Sequence, residues 1–301
     1  MELTDKIAAV SRMQKYILEN IDDDITLEDL SVAAGYSKFH AARIFKEASE
    51  MTPFEYIRAI RLTRAAEILR DTDAKITDVA LDSGFDSHDG FTRAFSSRFN
   101  VTPNKYRREA AAIGWFVPYD VEAYYSMKEG LEMEKGKISR VVTVTAVERP
   151  ARKLILLRAK NTLDGDYLEF CEEMGCDWEG LLNSVPEKFD SSALLTLPSR
   201  FVKNGTSNTA AGVEVPADYC KPIPGGYDII DLPPCTMLYF NGASYGDEND
   251  FCEAIGIATE AVHNYDPTQF EYKNADEVAP FFNFGASAAT GARLAKPVER
   301  I

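Results

Sequence analysis

The chain has 301 residues and ordinary apolar content, enough for two domains that each bury a core. It has no run of about 18 or more apolar residues, and MELTDKIAAV lacks a basic region followed by an apolar one, so no membrane span and no ordinary export signal is expected. A net charge of −15 argues against nucleic acid until it is divided: residues 1–112 hold 16 basic and 19 acidic residues, net −3, and residues 113–301 hold 17 and 29, net −12. Phosphate attraction acts over about 10 Å, so local rather than total charge decides. The five cysteines are odd in number, lie in the second half and form no CxxC pair, while His40, His88 and His263 are scattered. These features predict reduced thiols in a cytoplasmic protein with no metal centre and no cofactor.

In chain order, residues 4–21 predict an amphipathic helix, with Val10, Met13, Ile17 and Ile21 at helical spacing. Thr26 and Asp29 form a capping-box-like start for a short helix at 27–34, which Gly35 stops. Ser37 is the expected N-cap of a further helix, Lys38 to Ser49. Short helix, glycine turn and second helix is the plan of a helix-turn-helix. The plan recurs: Ile76-Thr77 opens a short helix, Gly84-Phe85 turns, and a helix runs from about Ser87 to Phe99. Gly35-Tyr36 matches Gly84-Phe85 at a spacing of 49, whereas Arg43-x-Phe45 matches Arg93-x-Phe95 and Thr52-Pro53-x-x-Tyr56 matches Thr102-Pro103-x-x-Tyr106 at 50. Thr-Pro is an N-cap followed by the helical position that welcomes proline.

The helix from Thr52-Pro53 to about Arg70 would span roughly 27 Å and act as a strut between the two units. Successive major-groove faces lie about 34 Å apart, within reach of one monomer carrying two recognition helices. Arg58, Arg61 and Arg64 share an arc of the strut, as a solvated stripe or a phosphate contact. Phe91, Phe95 and Phe99 predict a buried stripe, with Arg93 and Arg98 directed away from it.

The paired pattern, and above all GFDSHDGFTRAFSSRFNVTPNKYRR at 84–108, resembles the signature of AraC/XylS-type transcription regulators over about residues 5–108. That resemblance implies an all-α N-terminal domain, 1–108, with two helix-turn-helix units that bind double-stranded DNA. It implies base reading by Phe39, Ala42 and Arg43 on the first recognition helix and by His88, Asp89, Thr92 and Arg93 on the second. Guanidinium suits guanine O6 and N7 or a phosphate. Ala42 and Asp89 depart from the longer polar residues often found there, and Asp89 would accept from a cytosine amino group or leave its helix a positioning role. Arg98 and Arg107 have an alternative in pairing with acids such as Asp82 or Glu109.

Residues 109–137 mix glycine, proline, aromatics and charge and predict a partly packed connector. Beyond it ISRVVTVTAV and KLILLRA predict strands, followed by a helix near 166–183 and strands near 193–202 and 211–216. Phe170-Cys171-Glu172, Gly175 and Pro216 recur 81 residues on as Phe251-Cys252-Glu253, Gly256 and Pro297, and Pro150 with Leu154–Leu156 recurs 83 on as Pro233 with Met237–Tyr239. The expected architecture is an α+β domain, 138–301, of two pseudo-repeated strand-helix-strand-strand units sharing one sheet.

That pattern, with GVEVP at 212–216 and ARLAKPV at 292–298, resembles the GyrI-like effector-binding domain. The resemblance implies an aromatic cleft for a small amphipathic molecule, often with an acid that selects cations. Candidate lining residues are Trp178, Tyr227, Tyr239, Phe240, Phe282 and Phe284. The tract Val278–Ala292 contains no acid; of Glu173, Glu214 and Glu253, Glu214 is preferred because it sits between apolar neighbours and would need a partner such as a ligand cation. The expected function is a ligand-responsive transcription regulator whose effector alters DNA affinity or contact with RNA polymerase. Alternatives are a C-terminal protein-interaction module or a hydrolase of small reactive molecules. No Gly-x-Ser-x-Gly, HExxH or phosphate loop supports catalysis, so no enzyme is expected.

Overall fold

Caps delimit the helices of the first half in the computed structural model, which describes residues 3–129 and 138–301. The helices are α1 (Leu3–Glu19), α2 (Leu27–Ala34), α3 (Lys38–Ser49), α4 (Pro53–Asp71), α5 (Ile76–Asp82), α6 (His88–Phe99), α7 (Pro103–Glu109) and α8 (Val121–Glu129). Capping boxes Thr26/Asp29 and Thr52/Glu55 start α2 and α4. Ser87 and Thr102 cap α6 and α7 through Gly90 N and Lys105 N. Ser37 occupies the N-cap position of α3 but makes no capping hydrogen bond. Gly35 and Gly84 take the left-handed conformation that the two turns need, φ 71° and 76°.

The chain divides into two units, Met1–Met133 and Glu134–Ile301. In the first, α4 does more than separate the helix-turn-helix units. Tyr56, Ile57 and Ile60 join a core with Ile44 and Phe45, and Leu62, Ala65, Ala66 and Leu69 join a second core with Phe91, Phe95, Phe99 and Tyr106. One helix thus builds a wall of both cores. The three phenylalanines of α6 touch in sequence, tilted and then edge-on, with ring centroids 5.6 and 4.7 Å apart.

Two expectations gain detail. The arginine arc on α4 is partly tied inward: Arg61 donates to the carbonyls of Ile21 and Asp23 at 2.9 and 2.5 Å, and Arg64 pairs with Asp22 at 3.1 Å, while Arg58 stays exposed. Of the connector expected at 109–137, the described part to residue 129 packs onto the helices, Ile113 and Trp115 in the second core and Phe116 and Val121 in the first, while 130–137 lie outside the described residues. Buried Gln14 fastens this segment, donating to the carbonyl of Tyr119 and accepting from Val121 N.

The second unit contains β1 (Val142–Arg149), β2 (Arg152–Arg158), α9 (Tyr167–Met174), α10 (Trp178–Asn183), β3 (Ala193–Thr196), β4 (Thr209–Pro216), β5 (Asp228–Leu232), β6 (Cys235–Gly242), α11 (Phe251–Asn264), β7 (Tyr272–Asn274), β8 (Phe281–Ser287) and β9 (Gly291–Arg300). The single helix expected at 166–183 is two, separated where Gly175 takes φ +80°. All paired strands are antiparallel, in the order β1-β6-β9-β8-β3-β4-β2-β5, with β7 on the end of β9.

Strand alternation sorts side chains to two faces. Leu238, Phe240, Leu294 and Val298 meet Ala254 and Ala258 of α11. The registers Tyr239↔Ala295↔Phe282↔Leu195↔Ala210 put Tyr239, Phe282 and the Glu214 row on the other face, with Leu154, Leu156 and Met237.

Candidate functional site

Candidate residues lie in both units. On α3, Phe39 leaves 90% of its surface exposed, an unusual position for a large apolar side chain. His40 stacks edge-on against Tyr36 and lies 2.9 Å through Nδ1 from Arg43 Nη2. Arg43 is exposed and also faces Glu47 at 3.6 Å; Ala42 is half-buried. On α6, Asp89 is almost wholly exposed, its carboxylate 3.5 Å from His88 Nδ1. Arg93 is exposed and, among the described residues, has no hydrogen-bond or ion-pair partner. Thr92 is half-buried, with Oγ1 shielded and unpartnered, so its hydroxyl does not face outward. Arg98 is exposed, and Arg107 donates to the Ala74 carbonyl rather than to Asp82 or Glu109. Both recognition helices therefore present one arginine near the middle of an exposed face.

In the second unit, the residues predicted for one cleft separate into groups. Tyr239, Phe284 and Phe282 form a stack on the helix-free face, with centroids 5.9 and 5.7 Å apart and ring planes within 18° and 15°. Glu214 is on the same face. Phe240 is turned to the α11 side, where it meets Tyr265. Trp178 begins α10 and packs edge-on against Phe170. Half-buried Tyr227 lies near Asp177 at the start of α10, and burial raises its phenol pKa to about 12. Glu253 is half-buried on α11.

Glu214 is only 4% exposed, and the partner it requires comes from the chain itself: Arg152 Nε donates to Oε1, and Arg149 Nε lies 3.7 Å from Oε2. Arg152 is buried too, with further bonds to the carbonyls of Pro150 and Pro233. Arg149 extends the network to the Tyr239 hydroxyl and, at 3.4 Å, to Asp190. Arg293 donates to Asp190 and to Ser191 Oγ, and its guanidinium sits 4.3 Å from the Phe284 centroid. Burial raises the Tyr239 pKa, against a lowering by the Arg149 hydrogen bond and charge. Arg149, Arg152 and Asp190 escaped sequence reading; the two arginines flanking Pro150 at the β1–β2 turn were the available signal. A groove of about 590 Å³ borders this network at Arg149 and Cys235 but takes in none of the stacked aromatics.

Glu173 has a structural task. It accepts from the backbone N–H groups of Lys160, Asn161 and Thr162 and from the Thr162 hydroxyl. Desolvation acts to raise its pKa, but these donors more than offset it and bring the value down to about 2.

A helix-turn-helix domain family matches residues 30–109. The Tn10 TetD protein of Escherichia coli is 45% identical over 93 residues, which is 31% of this chain and 67% of TetD. The transcriptional regulator Rob of Salmonella typhimurium is 43% identical over 91 residues, 30% of this chain and only 32% of Rob. The regulatory protein SoxS of Salmonella typhimurium is 37% identical over 98 residues, 33% of this chain but 92% of SoxS. The chain thus matches about a third of the length of Rob and nearly the whole of SoxS. With duplicated helix-turn-helix units, their shared α4 wall and this similarity, the chain belongs to the AraC family of helix-turn-helix transcription regulators.

Proposed function

We propose that the protein is a sequence-specific DNA-binding transcription regulator whose second unit takes a small amphipathic effector. The observation that carries the first part is the pair of exposed, centrally placed arginines, Arg43 and Arg93, on two helices built to the same plan. Phe39 would offer apolar contact to a thymine methyl, His88 and Asp89 would face base edges at the start of α6, and Thr92 would present its methyl rather than its hydroxyl. Ala42 leaves room for close approach of the helix to the groove.

The effector reading rests on the aromatic stack of Tyr239, Phe282 and Phe284 on a helix-free face. Trp178 and Tyr227 would serve it only from the other group. The reading of two repeats is supported by the strand order, in which β2-β4-β3 is followed across the sheet by β8-β9-β6. Catalysis is disfavoured because Glu214 is held by Arg152, and the Tyr239 hydroxyl is engaged by Arg149. The effector would bias DNA affinity or contact with RNA polymerase by binding one state of the protein more tightly than another.

The test is a mobility shift with full-length protein and DNA from upstream of its own gene, at moderate salt. A shift that Arg93→Ala weakens while the melting temperature holds supports the proposal; absence of any shifted fragment contradicts it.

A further inference from the structure

We infer that the helix-free sheet face selects planar aromatic anions, such as aromatic carboxylates, rather than cations. The inference rests on the effector reading above and adds the charge of the ligand to it.

Arg149 lies against Tyr239 and Arg293 against Phe284, and with Arg152 they form a network of three guanidiniums and two carboxylates, Glu214 and Asp190. Both acids are committed: Glu214 to Arg152 and Arg149, Asp190 to Arg149 and Arg293. An incoming cation would find both of these carboxylates already paired and would have to draw one out of its ion pair. Along the same face toward β5, Asp228 is likewise taken, by Arg158 and Lys203 at 2.7 Å each, so that end also carries one surplus positive charge.

The surplus cation beside the stack is the accessible one. Arg152 has no side-chain exposure and Arg149 14%, whereas Arg293 retains 35%. Arg293 uses Nη2 for Asp190 and Ser191, which leaves Nε and Nη1 without a partner among the described residues. Those donors lie beside half-buried Phe284, itself backed by Tyr239 and Phe282. Phe189, partly exposed and 5.8 Å from the Arg149 guanidinium, adds a second apolar surface. A flat ring against Phe284 and Phe189 would bring its carboxylate to the open fork of Arg293, where charge-assisted hydrogen bonds are strongest. The acidity of the chain as a whole does not oppose this, because charges more than about 10 Å away are screened at physiological salt.

The test measures binding of 2-naphthoate, neutral 2-naphthamide and 2-naphthyltrimethylammonium to the full-length protein by titration calorimetry. Naphthoate is expected to bind at least tenfold more tightly than the ammonium probe. Arg293→Gln should reduce naphthoate affinity about tenfold and leave naphthamide within twofold, and Arg293→Lys should recover part of the loss. The anion inference is overturned, with the effector reading intact, if the ammonium probe binds as tightly as naphthoate or if Arg293→Gln weakens naphthamide and naphthoate equally. If none of the three probes binds, both readings fall.

Discussion

Arg43 and Arg93 differ in what holds them. Arg43 touches His40 and Glu47 at the surface, interactions that contribute little, and Arg93 has no partner among the described residues. Replacing either with alanine should therefore spare the fold and cost about 1–3 kcal/mol of specific-site affinity, read by fluorescence anisotropy on an operator fragment. Arg98→Ala, at the far end of α6, should cost less. Glu214 is the opposite case. Its carboxylate and Arg152 are both buried, so Glu214→Ala should destabilise the second unit by about 3–5 kcal/mol in urea unfolding, chiefly by stranding a buried guanidinium. At Glu173 the folded pKa is depressed to about 2, so its stabilisation is fully present above the ordinary carboxylate range and is lost as pH falls toward 2. Glu173→Gln should accordingly make the acid limb of the stability curve shallower, the slope that remains coming from the other carboxylates with lowered pKa, Asp29, Glu55, Asp228 and Asp266.

At the scale of elements, much of the first unit was legible because its signals are local. Thr-Pro starts, glycine stops and phenylalanines every four residues each act within a turn or two. The Thr102 side chain accepts from Lys105 N, and Thr102→Ala should cost about 0.5–2 kcal/mol in thermal unfolding, with α7 and the Tyr106 packing loosened first. What could not be read depends on partners far apart in the chain. Arg61 looked like part of a charged stripe, yet its acceptors are carbonyls 40 and 38 residues earlier. Ile113, Trp115, Phe116 and Val121 follow no helical or strand period, so nothing marked them as core. In the second unit ISRVVTVTAV and KLILLRA were visible as strands, but which face met the helices was not. Phe240 and Trp178 consequently fell outside the group that Tyr239, Phe282 and Phe284 form, and the 62-residue separation of Arg152 from Glu214 hid the buried pair.

For the whole molecule, the similarity to known regulators covers about a third of the chain and lies in the first unit, while most of the negative charge lies beyond residue 112. DNA contact belongs on this account to the less acidic unit. Within it α4, 19 residues and about 28 Å long, belongs to both cores and should fix the spacing of α3 and α6 rigidly. The most direct test is hydroxyl-radical footprinting of the full-length protein on DNA from upstream of its own gene. The account predicts two protected patches on one face of the duplex, about one helical turn apart, with Arg43→Ala and Arg93→Ala each erasing a different patch. A single patch unaffected by either substitution, or uniform protection that vanishes with modest salt, would contradict it.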